Sequence, residues 1–226
     1  MSLPPQDELP RVPGGWELRD VPLAGRSFRL CVPSRLESLL GNAEGKTDTV
    51  PYWARLWPAA EPAAEAVLRW APWRVGAEVL ELGSGVGLVG LAALARGDCV
   101  LFSDLSEVAL ETCRINARRN GFPASRTRLL DWREPADLQV DVVLASDVLY
   151  DPALHEPLLE TIDAALRPSG IAWIADPGRH AAREFAARAT DWFDLRIRDE
   201  SGDEALLPSR TEFQIFELCR RRTESP

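Results

Sequence analysis

Glu81 stands two residues ahead of the first of three glycines at alternate positions, Gly83, Gly85 and Gly87, in the stretch VLELGSGVGLVGLAALARG (Val79 to Gly97). Glycines at the end of an apolar run let the backbone turn sharply and let a ligand come close to the main chain. In doubly wound sheets this strand–turn–helix junction is where nucleotides and nucleosides bind. The dinucleotide fingerprint G-x-G-x-x-G would require glycine at position 88, which is Leu88. Glu81 would also face a diphosphate with like charge, a costly contact in a partly desolvated site. A carboxylate at this place favours a ligand carrying an amino group or a sulfonium, so the bend reads as a site for a cationic amino-acid nucleoside.

The elements that must position this bend follow from the rhythm of the chain. From Glu78 onward, apolar runs EVLEL, CVLFSD, TRLL, DVVLAS and IAWIAD read as strands. Helical patterns at about 86–96, 106–119, 153–167 and 179–190 separate them. Such alternation implies parallel strands joined by right-handed crossovers, and near-continuous apolar strands suit a sheet covered on both faces. WFDLRIRDE and TEFQIFELC alternate with period two and have no helix between them, so they read as a terminal antiparallel hairpin on the sheet's edge. Upstream, WELRDVPLAGRSFRLCVP reads as a β-hairpin around Gly25. ESLLGNAEGKTDTVP reads as a loop, and a helix is expected from about Pro58. Residues 1–15 lack periodicity and are expected to be loose. The organisation expected is one domain over 1–226, with 1–70 an N-terminal extension and 71–226 the ligand-binding core.

Composition narrows the partners. The formal net charge is −9, which repels a phosphate backbone, so no nucleic-acid partner is expected. No apolar run approaches the roughly 20 residues that span a bilayer. The N-terminus MSLPPQDELP lacks the features of a signal or transit peptide, and a cytoplasmic, membrane-free, monomeric protein is expected. Cys31, Cys99, Cys113 and Cys219 form no C-x-x-C pair and are expected to be free thiols. With only His155 and His180 as imidazoles, both read as solvated helix-start residues, no metal site is expected.

ELGSGVG followed by DLS at Asp104 resembles the motifs of the class I, seven-β-strand S-adenosylmethionine-dependent methyltransferases, over about Trp53 to Cys219. The resemblance implies an α/β fold: a Rossmann-like, mostly parallel seven-stranded sheet with helices on both faces. It also implies the cofactor S-adenosyl-L-methionine. By this likeness Gly83, Ser84 and Gly85, with Gly87 completing the turn, line the methionine part, and Glu81 supports its amino group. Asp104, with Leu105 beside it, would accept hydrogen bonds from the ribose hydroxyls, a role open to an acceptor-only carboxylate. Asp131 and Trp132 would meet the adenine, and Ser146 the adenosine side. The stretch SDVLYDP (Ser146 to Pro152) resembles the D-x-x-Y motif of the seven-β-strand protein lysine methyltransferases. PYWARLWP (Pro51 to Pro58) looks like the segment before the first helix in the branch that methylates the β subunit of electron-transfer flavoprotein. That likeness implies that Trp57 packs on the cofactor and that Asp147 and Tyr150 are catalytic, orienting an amine acceptor.

The function expected is therefore protein lysine N-methylation by direct SN2 transfer, on a lysine-bearing protein. Three alternatives stay open on the sequence. They are a small-molecule N- or O-methyltransferase (with a small amine as the acceptor in the N case), a non-catalytic cofactor-binding or scaffolding protein on the same fold, and, more remotely, an NAD-linked reductase.

Overall fold

The computed structural model describes residue 3 and residues 9–35, 51–134 and 137–221. The expected N-terminal hairpin forms from β1 (Trp16–Leu23) and β2 (Arg26–Pro33), antiparallel in a sheet of their own. After a 3-10 turn at Tyr52–Ala54 comes α1 (Ala60–Trp70), with Pro62 in its first turn, where a missing N–H is tolerated. The core then alternates: β3 (Glu78–Leu82), α2 (Leu88–Arg96), β4 (Cys99–Asp104), α3 (Glu107–Arg119), β5 (Arg126–Leu129), β6 (Val140–Ser146), α4 (His155–Ala165), β7 (Leu166–Asp176) and α5 (Ala182–Trp192). It closes with β8 (Phe193–Arg198), the two-residue β9 (Glu204–Ala205) and β10 (Gln214–Arg220).

The strand order is β5-β4-β3-β6-β7-β10-β8-β9. The five strands from β3 to β7 are mutually parallel, and β10 runs antiparallel to both β7 and β8. The doubly wound architecture is as the alternation implies. The terminal pair departs in one respect: the last strand inserts between β7 and β8 and leaves β8 further out, while the short β9 adds an eighth member to the sheet.

Side-chain alternation along the strands divides the core in two. Val79, Phe102, Leu144 and Ala175 face α1, α2 and the N-terminal hairpin. Leu80, Leu82, Val143, Ala145 and Ile174 face α4 and α5. The order changes direction between β3 and β6, so the C-terminal ends of these strands open a crevice where ligands bind in this architecture. Glu81, in phase with Val79, points to the α2 side of that crevice.

The hairpin is held to the core by two asparagines one turn apart, Asn116 in the last turns of α3 and Asn120 at its C-cap. Asn116 Oδ1 accepts from Cys31 N at 2.7 Å, and its Nδ2 donates to Cys31 O at 3.2 Å and to Val86 O at 2.9 Å. Asn120 does the same for Arg29, with both bonds at 2.9 Å. Asn116 thereby also ties the hairpin to the glycine turn.

Three expectations meet residues placed otherwise or outside the description. Residues 9–15 are docked: Leu9 is buried with Cys31 and Ile115, and Trp16 Nε1 donates to Pro10 O at 2.8 Å. His155 does begin α4, but its ring is buried against Phe185 and its Nε2 faces Leu149 O at 3.3 Å. The loop read at 37–51 lies outside the described residues except for Pro51. No described helix is long and apolar enough to cross a membrane.

Candidate active site

Gly83, Gly85 and Gly87 all have positive φ, at 63°, 53° and 86°. Their lack of a side chain matters twice over. A Cβ on Gly83 would meet Val148 and Trp132 at 3.2 and 3.4 Å, and one on Gly85 would meet the Trp53 carbonyl oxygen at 3.1 Å. The turn is thus walled by the D-x-x-Y region on one side and by the Tyr52–Ala54 segment on the other. Two serines fix its shape. Ser84 N donates to Ser103 O at 2.9 Å, Ser103 N donates to Ser84 Oγ at 3.0 Å, and Ser103 Oγ donates to Glu81 O at 2.6 Å.

Glu81 is 3% exposed. Its Oε1 accepts from Gly90 N at 3.0 Å in the first turn of α2, where the helix dipole favours negative charge. Its Oε2 is buried and has no hydrogen-bond partner within the protein. Burial pushes the Glu81 carboxyl up to about 8, against the pull of the Gly90 and Ser84 hydrogen bonds, and neighbouring Asp104 adds to the rise. The side chain is therefore mostly neutral near neutral pH until a cation or donor meets Oε2 and favours its ionised form.

The crevice above it holds about 310 Å³ of empty space open to solvent. Trp57, Glu81, Gly83, Ser84, Gly85 and Ser146, all singled out in the sequence, line it together. Arg55 lines it as well. Its guanidinium lies 5.0 Å from the centroid of the Trp57 ring, and Trp57 is itself fixed by an Nε1 bond of 2.7 Å to Tyr52 O.

The remaining singled-out residues sit at varying distance from the crevice. Asp104 is coupled to the turn: its Oδ2 accepts from Gly85 N and its Oδ1 from Ser106 N, both at 2.9 Å. Burial raises its carboxyl and these bonds oppose the rise. Leu105 beside it is 55% exposed. Trp132 packs at Gly83. Asp131, by contrast, accepts from the backbone and guanidinium of Arg133, with contacts of 2.7 to 3.0 Å. Those bonds hold its carboxyl below the usual range. Asp147 is buried one residue beyond Ser146. Its Oδ2 accepts from Ala59 N at 2.6 Å, and Arg179 lies 2.5 Å from its Oδ1. Tyr150 is 43% exposed, with its ring centroid 5.1 Å from that of Tyr52; partial burial, with neighbouring Tyr52, raises its pKa. Arg55 and Arg179 went unnoticed in the sequence. Arg55 sits inside the quoted PYWARLWP stretch, where a lone cation between two tryptophans was a usable signal.

Comparison with known proteins fits this geometry. A family model described as lysine methyltransferase matches residues 54–189. The chain belongs to this lysine methyltransferase family. Among its relatives is the electron transfer flavoprotein beta subunit lysine methyltransferase of Danio rerio, 29% identical over 134 residues, which cover 57% of this chain and 51% of that protein. Histone-arginine methyltransferase METTL23 of Homo sapiens is 35% identical, over 47% of this chain and 60% of that protein. EEF1A lysine methyltransferase 3 of Mus musculus is 32% identical, over 65% and 67%. The chain thus spans 51% and 60% of the first two relatives.

Solved structures agree on the fold. TrmN from Thermus thermophilus superposes with a TM-score of 0.57 at 24% identity, over 70% of this chain and 48% of that one. Ribosomal protein L11 methylase from Lactobacillus delbrueckii subsp. bulgaricus gives 0.57 at 19%, over 73% and 79%. The family member has the Rossmann-like class I methyltransferase fold, whose cofactor is S-adenosyl-L-methionine.

Proposed function

We propose that this protein is an S-adenosylmethionine-dependent protein lysine N-methyltransferase. One observation carries the reading: Glu81, whose buried Oε2 has no hydrogen-bond partner, lines a crevice that an arginine also lines. Among the described residues no ion-pair partner is found for Arg55. An α-amino acid terminus carries one charge of each sign and complements both groups; a diphosphate would satisfy only the arginine. Glu81 would receive the ammonium, Arg55 the carboxylate, and the free lone pairs of Asp104 the ribose hydroxyls. Ser84, Ser146 and Trp57 would line the cofactor's length. Trp132 would lie beside Gly83 on the adenine side; Asp131, already engaged by Arg133, is left with fewer free lone pairs for the exocyclic amine.

When bound, S-adenosylmethionine supplies a methyl group activated by the adjacent sulfonium. The acceptor side belongs to Tyr150 and Tyr52, whose rings pack in a tilted pair, 36° between their planes, beyond the end of β6. A lysine with pKa near ~10.4 is neutral in only about one molecule in a few thousand at pH 7. The site therefore has to favour the loss of that proton and aim the lone pair. Tyr150 is suited to orient the nitrogen through its hydroxyl. Asp147, behind it, is buried and ion-paired with Arg179. Aligning nitrogen and methyl carbon at about 3–3.5 Å is the largest catalytic contribution expected. The names of the relatives support a protein acceptor and include both lysine and arginine as the modified residue.

The test has two stages. Calorimetry with S-adenosylhomocysteine and with NAD should detect only the former. Incubation with methyl-labelled donor and a protein extract, followed by hydrolysis and amino-acid analysis, should then give methyl-lysine. Label in methyl-arginine would move the acceptor to the guanidinium class, and label only in small molecules would remove the protein substrate.

A further inference from the structure

Asp147 is one of two described non-glycine residues with positive φ, at 61°; the other, Ala24, lies in the hairpin turn. An aspartate tolerates the left-handed region better than most residues but still at some cost. Here the conformation serves a network. Asp147 N donates to Ala175 O at 2.9 Å, which pins it to β7. Its side chain, 2% exposed, places Oδ2 2.6 Å from Ala59 N and Oδ1 2.5 Å from the Arg179 guanidinium. Arg179 reaches on to Asp176 Oδ2 at 3.3 Å. Asp176 Oδ1 in turn accepts from Gly178 N at 2.8 Å and Arg179 N at 2.7 Å. A continuous path therefore runs from the end of β7, through Arg179 and Asp147, to the residue that opens α1.

Ala59 is fully buried, and its N–H lies outside the helix's own bonding pattern, so it needs an acceptor. Pro58 has no N–H. Ala59 is thus the first backbone donor after Trp57 by which the crevice-lining segment can be held. A carboxylate there also suits the helix dipole. Asp147 Oδ2 accepts from Ala59 N, while the buried Oδ1, which makes no hydrogen bond among the described residues, faces the guanidinium at 2.5 Å, so an acceptor amine would reach it only by displacing that guanidinium. We infer that the Arg179–Asp147 pair is a clamp that seats the Trp57 segment on the crevice. This makes both residues positioning residues for the methyl donor rather than groups that touch the acceptor. The inference rests on the donor reading of the crevice given above.

The full-length chain is compared with Arg179→Ala, Arg179→Lys and the isosteric Asp147→Asn by two measurements. One is the calorimetric Kd for S-adenosylhomocysteine; the other is amide hydrogen exchange at Ala59. Arg179→Ala should weaken binding at least tenfold and speed Ala59 exchange at least tenfold. Arg179→Lys should recover most of both. In turnover, the KM for the donor should rise more than kcat falls. The clamp is refuted if folded Arg179→Ala keeps wild-type affinity and wild-type Ala59 exchange while kcat drops, the pattern of a group that acts on the acceptor. Should Arg179→Ala lose its near-ultraviolet dichroism, Asp147→Asn decides. A loss of affinity of threefold or more supports the clamp, and unchanged affinity with lowered kcat overturns it. Absence of S-adenosylhomocysteine binding by the wild-type chain would instead sink the donor reading, while exchange at Ala59 would still judge the clamp.

Discussion

A carboxyl held at about 8 makes donor binding a proton-linked event. At pH 7 the empty Glu81, pushed up to about 8, is about nine-tenths protonated. An ammonium arriving at Oε2 favours the ionised form, so binding should expel close to 0.9 of a proton at pH 7. The ionised fraction of the empty site rises nearly tenfold from pH 6 to pH 7, and affinity should rise with it, a gain of about 1.4 kcal/mol. Titration of S-adenosylhomocysteine by calorimetry in phosphate and in Tris, which differ in ionisation enthalpy, reads the proton count directly. Glu81→Gln should bind with no proton release and a flat affinity between pH 6 and 7. Wild-type binding without proton release, or release that survives in Glu81→Gln, would refute the reasoning. The same group sets a stability trend in the empty protein. Its folded value lies above its ordinary 4.5, so the folded state binds the extra proton between about pH 4.5 and 8. The stability it contributes is complete below that window and is lost as pH rises through it, at up to about 1.4 kcal/mol per unit. Urea titrations across this range should show the decline, and Glu81→Gln should flatten it.

Three further outcomes follow from the packing. Gly90→Ala would drive a methyl group into the Phe102 ring and to 2.6 Å from Glu81 Oε2; a loss of about 1–3 kcal/mol in a urea melt, with weaker S-adenosylhomocysteine binding, is expected. Asn116→Ala would strand the buried N–H and C=O of Cys31 and the carbonyl of Val86. Its cost should be about 3 kcal/mol or more by chemical denaturation, with faster amide exchange in β2. Arg55→Ala should abolish the preference for S-adenosylmethionine over its decarboxylated analogue, which the wild-type chain should show as a tenfold or larger difference in Kd by calorimetry. An undiminished preference in the variant would remove Arg55 from the carboxylate's side.

The parallel strands were legible because buried strands are written as unbroken apolar runs, and β3 and β4 fall where EVLEL and CVLFSD stand. The glycine bend and its carboxylate were legible because their chemistry is local in sequence. What escaped depends on pairing across the fold. Nothing in TEFQIFELC says that it inserts between β7 and β8, since period-two alternation fixes the faces of a strand but not its neighbours. Arg179 is far in sequence from Asp147, so a carboxylate that reads as free for an acceptor turns out to be paired. Asp131 has a partner nearer in sequence: Arg133, two residues on, folds back onto it. His155 shows the limit of helix-start reasoning, because polarity and position suggested solvent while tertiary packing enclosed the ring against Phe185. Glu81 was seen, but the sequence could not tell that enclosure would leave it protonated without its ligand.

Asn116 and Asn120 are spaced one turn apart, an axial rise of about 6 Å. Alternate residues of a strand advance by nearly the same distance, about 6.6 Å. The near-equality lets one flank of α3 imitate a neighbouring strand, with carboxamides in place of peptide groups. A single-residue slip of the hairpin would break the match at both places, so two side chains set its phase. The same imitation occupies a row of main-chain groups that would otherwise lie open to pairing with a second molecule.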